Sequence, residues 1–295
     1  MVERFLDYLR YERNRSELTV VRYEKSLRDF KAFFESLSKE ITWETVDADI
    51  VRDWLESLMD KGDKATSVNA DLAALKSFYR FALARKLVEN DPAHCVRGPK
   101  KQKPLPQYVR EQEMDKLLDQ ENWEDDNYED VRARTILLLL YEAGLRRSEL
   151  VGLDDKDIDF GTRQLKVTGK RNKQRIIPFG EELETELRDF MEVRDREVSK
   201  NSTALLLDKH GERVTANQVY REVRKQLGKV TTMKKKSPHV LRHSFATALL
   251  NHEAGLESVR QLLGHESLKT TEIYTHTTFE QLRRVYKEAH PRGTK

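Results

Sequence analysis

The residues best placed to do chemistry in this chain are histidines, arginines and a tyrosine, gathered in short motifs beyond residue 140. Ser237-Pro238-His239-Val240-Leu241-Arg242-His243 reads as a helix start, because serine favours the N-cap and proline the first helical position. His239 and Arg242 then stand three apart on one face, beside the positive end of the helix dipole, which suits them to hold a phosphate. Gly144-Leu145-Arg146-Arg147-Ser148-Glu149-Leu150 offers a further guanidinium where glycine ends one apolar helix and an amphipathic one begins. Leu262-Leu263-Gly264-His265 ends another helix at glycine and sets a histidine in the next turn. Nine residues later Tyr274 lies in Thr270-Thr271-Glu272-Ile273-Tyr274-Thr275-His276. Each motif taken singly has a plain structural explanation: a surface turn, exposed arginines, a structural histidine, a packed tyrosine.

These motifs need elements to position them, and the hydrophobic spacing is helical almost throughout. In the N-terminal third, Val20, Tyr23, Leu27, Phe30, Phe34 and Leu37 recur every three or four residues behind the candidate cap Ser16. Val51, Leu55 and Leu58 mark another helix, and Val68, Leu72, Leu75, Tyr79 and Ala82 follow Thr66 on one face. Four helices with short connections predict a small bundle. Pro99, Pro104 and Pro106 then forbid a continuous helix and favour an extended basic strap, in which Lys100 and Lys101 can reach a phosphate. Beyond it, helices are expected at 181–198, 216–227, 238–252, 256–263 and 279–289. Leu165 and Val167, then Ile176 and Ile177, flank Gly169-Lys170-Arg171-Asn172-Lys173 and predict a β-hairpin with a basic tip, with Ala204–Leu207 as a third strand. The expected fold is mainly α: a helical domain over 1–96, a linker over 97–107, and a helical domain carrying a small β-sheet over 108–295.

The net charge of +3 decides little, but its distribution is uneven. Acidic residues crowd 111–130, while basic ones gather at 97–103, 163–175 and 221–236, a segregation that suits a polyanion on one face. Cys95 is the only cysteine, which excludes an intrachain disulfide and a cysteine metal cluster; a small packed residue is expected there. The N-terminus lacks a secretory pattern and the apolar run Ile136–Tyr141 is too short for a bilayer, so a soluble, cytoplasmic protein is expected.

The joint order of the motifs is more specific than any one of them. Gly-Leu-Arg-x-Ser-Glu-Leu, Gly-Lys-x-Asn-Lys-x-Arg, His-x-Leu-Arg-His-Ser-Phe-Ala-Thr, Leu-Leu-Gly-His and Ile-Tyr-Thr-His appear in sequence, and this resembles the catalytic signature of the tyrosine recombinases (the phage integrase family). The resemblance covers nearly the whole chain. It implies a SAM-like core-binding domain ahead of a catalytic domain. It also implies that Tyr274 attacks a DNA phosphodiester, with Arg146 and Arg242 clamping the non-bridging oxygens. His239 then handles a proton, His265 donates to the phosphate, and Lys170 protonates the leaving 5′-oxygen. Arg147 adjoins Arg146, and only register with the motif favours Arg146.

Elementary chemistry agrees with those roles. A tyrosine with an ordinary pKa of about 10 needs nearby cations or a base to become nucleophilic at neutral pH. Two arginines and two histidines place positive charge where five-coordinate phosphorus builds negative charge. No carboxylate cluster of two-metal type accompanies the motifs, so neither a metal nor another cofactor is implied. Glu149 is expected to support the cluster.

Length and domain order look like the Xer group, which implies a roughly palindromic core site and resolution of chromosome or plasmid dimers. The same resemblance implies a homo- or hetero-tetramer on two duplexes, and a DNA translocase as activator. A minimal integrase or transposase of a mobile element is the alternative, as is a DNA-binding protein of the same fold without catalysis. Further DNA contacts are expected from Asn69, Lys76 and Arg80, from Arg171 and Lys173, and from Arg221 and Lys225. The amphipathic segment with Phe279, Leu282, Val285 and Tyr286 reads as a helix capping its own domain, whereas the resemblance implies that it docks into a neighbouring subunit, so that truncation after Thr278 spares single-site binding and weakens assembly and cleavage.

Overall fold

The computed structural model describes residues 1–101, 107–169, 172–264 and 276–292, without the side chains of 276–281. The chain divides into two compact units, Met1–Pro104 and Leu105–Lys295. The first is helical. Helix α1 (Val2–Asp7) runs into a π-turn over Tyr8–Glu12 and is followed by α2 (Glu17–Leu37), α3 (Ala48–Asp60) and α4 (Ala65–Ala84). Asp47 caps α3, its carboxylate accepting from the amides of Asp49 and Ile50 at 2.9 Å each. Ser16 precedes α2 as expected, but its hydroxyl pairs with that of Thr19 at 2.9 Å rather than with a backbone amide. An aromatic core joins the helices: Trp43 meets Phe78 at 4.6 Å between ring centroids, and Phe30 meets Trp54 at 4.9 Å.

The periodic residues of this unit are buried, or partly buried at Tyr23 and Leu58, with one exception. Leu37 ends α2 more than half exposed, because the helix stops at Ser38 before its last turn reaches the core. Cys95 is also exposed, contrary to the packed position expected of it; Ala93 and Val96 take the inward places around it.

The second unit is built around α6 (Tyr128–Glu142), which is buried on nearly every side, as a helix apolar all round must be. Around it lie α5 (Glu111–Leu118), α7 (Arg147–Val151), α8 (Glu181–Glu197), α9 (Ala216–Val230), α10 (Pro238–Asn251), α11 (Leu256–Leu263) and α12 (His276–Ala289). The expected hairpin is present as β2 (Gln164–Thr168) and β3 (Gln174–Pro178), paired antiparallel with Leu165 opposite Ile177 and Val167 opposite Arg175. The third strand is not Ala204–Leu207 but the short β1 (Ile158–Asp159) on the other side of β2. Ala204–Leu207 is buried, yet its groups are taken by isolated partners. The Leu205 carbonyl accepts from the fully buried Arg194 at 2.7 Å, and the Leu205 amide donates to Leu153 at 3.0 Å.

Helix α12 packs on its own unit. Leu282, Tyr286 and Ala289 share a buried cluster with Phe245, Leu249, Val259, Leu262 and Leu263. Beyond the helix, Arg292 pairs with Glu182 and, at 3.3 Å, with Asp115. No helix among the described residues is long and apolar enough to cross a membrane.

Candidate active site

Three arginines and one glutamate meet where α7, β3, α10 and the end of α11 converge. Gly144 makes the turn into α7 with φ +57°, and a Cβ there would lie 2.4 Å from the Phe245 ring, so glycine is required both for conformation and for the close approach of α10. Arg146 follows in extended conformation as the N-cap of α7. Glu149 reaches back, its carboxylate accepting from the Arg146 amide at 2.8 Å and from the Arg146 Nη1 at 2.6 Å. Arg175 enters from β3 and forks onto the same carboxylate at 2.8 and 2.9 Å. Arg242 arrives from the first turns of α10, with Nη1 3.7 Å from Glu149 and donating to the Gly144 carbonyl at 2.6 Å.

The same three arginines hold the C-terminal end of α11. Arg175 donates to the Leu262 carbonyl at 3.0 Å, Arg242 to the Leu263 carbonyl, and Arg146 to the Gly264 carbonyl at 2.9 Å. These carbonyls have no further helical partners and carry the negative end of the helix dipole, so cations belong there. Gly264 closes the helix in the left-handed region at φ +62°, and a Cβ on it would press on the Arg175 side chain at 3.0 Å. The arginine cluster therefore holds the end of α11 down to Gly264.

Electrostatically the cluster is unbalanced: three guanidinium groups share one carboxylate. Burial works to raise the Glu149 pKa, but the hydrogen bonds and charges of Arg175 and Arg146 outweigh it and hold the carboxyl at about 2. Arg242 moves the other way. Burial first, then the charges of Arg146 and Arg175, lower it to about 9 against the pull of Glu149. The side chain of Glu149 is 1% exposed, those of Arg175 and Arg242 6% and 8%, and that of Arg146 33%, so the excess positive charge opens to solvent through Arg146. An anion is what such a site lacks, and a guanidinium pair matches the oxygens of a phosphodiester.

His239 stands on the same face of α10 as Arg242, one turn earlier, with an exposed edge. Partial burial first, then the charges of Arg147, His243, Arg242 and Lys235, lower its pKa from the ordinary histidine value and disfavour the charged ring. Ser237 occupies the N-cap and Pro238 the first turn, as expected, but the Ser237 hydroxyl is buried and makes no capping bond. Arg147, the neighbour that register alone had set aside, turns away to the Ala216 carbonyl at 3.4 Å.

Of the residues singled out by sequence, the structure thus brings together Arg146 and Arg242, with His239 beside them. Lys170, His265, Tyr274 and Arg171 lie outside the described residues. In the first unit the Asn69 amide donates to the carbonyls of Ala65 at 2.7 Å and Pro99 at 2.9 Å, and Lys76 donates to the His94 carbonyl at 3.3 Å. Arg80, Lys100 and Lys101 are exposed there, as are Lys173, Arg221 and Lys225 in the second unit. Arg175 went without a role in the sequence reading. The available signal was strand alternation: β3 points residues 175 and 177 to the same buried side, which makes 175 an inward arginine rather than a surface one.

Comparison with known proteins places these features in a family. Residues 107–281 match the phage integrase family, and residues 2–86 match the phage integrase N-terminal SAM-like domain. The chain is 38% identical to tyrosine recombinase XerC of Chlorobaculum tepidum, over 98% of this chain and 94% of that protein. It is 37% identical to XerC of Listeria innocua (99% and 97%) and 32% identical to XerD of Oceanobacillus iheyensis (99% and 98%). In fold it is similar to XerH recombinase bound to a palindromic difH substrate, with a TM-score of 0.71 at 22% identity over 96% of this chain and 83% of that one. A lambda integrase dimer bound to a core site gives 0.69 at 18% identity, over 92% and 97%.

Proposed function

The chain belongs to the phage integrase family of tyrosine recombinases, and from that premise we propose that it cuts and rejoins DNA at a specific, roughly palindromic core site. Tyr274 is the nucleophile in this reading. Its oxygen bonds to phosphorus and gives up its proton, the bond from phosphorus to the 5′-oxygen breaks, and Lys170 delivers a proton to that leaving oxygen. A 3′-phosphotyrosyl link and a free 5′-hydroxyl result. Attack by a 5′-hydroxyl reverses the step, so the phosphodiester energy is conserved and rejoining needs no nucleotide cofactor.

The observation that carries this reading is the convergence of Arg146 and Arg242 on one half-buried, net-positive site. A phosphodiester carries one negative charge and gains more as phosphorus becomes five-coordinate, which is what a pre-organised pair of guanidinium groups stabilises. His239, its pKa lowered toward the neutral form, is able to accept the tyrosine proton or donate to a phosphate oxygen. His265 is assigned as a further phosphate donor.

Residues 97–107 link the two domains, and exposed Arg80, Lys100, Lys101, Arg221 and Lys225 supply phosphate contacts that position the duplex. The biological role assigned here is Xer-like resolution of chromosome or plasmid dimers by a tetramer of one or two related recombinases, activated by a DNA translocase. The curated relatives named above support that role, all being Xer proteins at 32–38% identity over nearly their whole length.

The test uses a duplex selected by this chain from a pool with a randomised centre, nicked near the cleavage position so that the released fragment diffuses away. Wild type is expected to form a covalent adduct that survives denaturing electrophoresis, and Tyr274→Phe none. Persistence of the adduct in Tyr274→Phe overturns the assignment of the nucleophile.

A further inference from the structure

Arg175 is buried in the arginine cluster, yet the steps above give it nothing to do. Its guanidinium grips both oxygens of Glu149, its Nε holds the Leu262 carbonyl, and its own backbone is part of β3. It therefore joins three segments at one point: the β2–β3 hairpin, the start of α7, and the end of α11. The hairpin is seated there closely. Gly169, last residue before the turn, stands where a Cβ would be 3.3 Å from Glu149 Oε1, and its amide closes the turn by donating to the Lys173 carbonyl at 2.7 Å. Glu149 is thus a floor on which the hairpin rests at Gly169, beside its turn, and the Arg175 fork is the bond that keeps it there. A fork of two parallel bonds fixes orientation as well as distance, which a single bond from a flexible ammonium does not.

We propose that Arg175 is a positioning residue for the leaving-group side of the reaction: by docking the hairpin onto Glu149 it fixes the turn that follows Gly169 relative to the Arg146–Arg242 pair. With its side chain only 6% exposed, it acts through the hairpin. The proposal rests on the assignment of Lys170, the next residue in the chain, as the general acid. Loosening the dock lowers the rate of strand cleavage by impairing protonation of the 5′-oxygen, while Arg146 and Arg242 still bind the phosphate.

A change of leaving atom separates this from a merely structural role. A 5′-bridging phosphorothiolate releases a thiol with a pKa near ~8.5, which departs without a proton, whereas an alcohol does not. The same selected duplex is made with oxygen or sulfur at that bridge and cleaved by wild type, Arg175→Met, Arg175→Lys and Lys170→Ala, at saturating protein. On the oxygen substrate Arg175→Met is expected to cleave about 10²-fold more slowly than wild type, the order of effect of general acid catalysis, with Arg175→Lys between them. On the sulfur substrate Arg175→Met, Arg175→Lys and Lys170→Ala all return to within a few-fold of wild type.

Rescue of Lys170→Ala without rescue of either Arg175 variant overturns the positioning role and leaves the general acid standing. Rescue of neither residue's variants overturns the general-acid assignment, and the proposal with it. Full activity of Arg175→Met on oxygen also overturns it. Should Arg175→Met fail to fold, Arg175→Lys carries the same comparison.

Discussion

Replacing Glu149 by glutamine keeps the volume and an accepting oxygen but removes the one negative charge that, among the described residues, lies between the three guanidinium groups. A buried carboxyl held at about 2, against 4.5 when free, corresponds to about 3 kcal/mol of stability at neutral pH. For a domain of this size each kcal/mol moves the thermal midpoint by about 2–4 °C, so the catalytic unit of Glu149→Gln should melt about 6–12 °C below wild type at pH 7. The pH dependence has a definite sign. Because the folded-state pKa is depressed, the carboxylate's contribution is complete above about pH 4.5 and fades as pH falls toward about 2. The gap between wild type and variant should therefore stay constant from pH 8 to pH 5, then shrink to less than half by about pH 3. Calorimetry of both proteins across that range is the measurement. A midpoint within about 2 °C of wild type at pH 7, or a gap indifferent to acid, would mean that Glu149 does not balance the cluster as argued.

His239 has its pKa lowered below 6.5, so the acid limb of the cleavage rate should fall below pH 6.5 and disappear in His239→Gln; a wild-type limb above 7 counts against the assignment. Gly144→Ala places a Cβ 2.4 Å from the Phe245 ring at a left-handed residue, and should cost about 1–3 kcal/mol in chemical denaturation; a loss under about 0.5 kcal/mol would refute the close-approach argument. Truncation after Thr278 removes Leu282 and Tyr286 from the core, at about 1.5–3 kcal/mol each, so the unit should unfold at lower denaturant even as a lone subunit. An unchanged midpoint would show that the helix contributes nothing in cis and return it to a purely intersubunit role.

The last of these bears on a choice that the sequence left open. The apolar stripe of Leu282, Val285 and Tyr286 was legible, since a period of 3.6 shows which residues share a face. Whether that face meets its own domain or another subunit is not written in the period, and in the single chain it covers Phe245 and Leu249. The small sheet shows the same limit. Alternation revealed β2 and β3, but Ala204–Leu207 had the composition of a strand and is instead buried against Arg194 and, across the fold, Leu153, whose carbonyl accepts from the Leu205 amide.

The phosphate-binding residues divide in the same way. The residue types, their order and the helix start at Ser237-Pro238 were open to reading, because caps, turns and dipoles are local and depend on neighbours within a few residues. The choice of Arg146 over Arg147 was left to motif register by the sequence, and in the structure Arg146 faces Glu149 while Arg147 turns to Ala216. Alternation showed that Arg175 points inward, but not what it meets, since its two partners, Glu149 in α7 and Leu262 in α11, lie far away along the chain. Local chemistry and periodicity thus determined the elements and the family of residues. Only the tertiary fold decided how three like charges come to share one carboxylate, because that requires packing energy from α6 and its neighbours to hold together groups that repel.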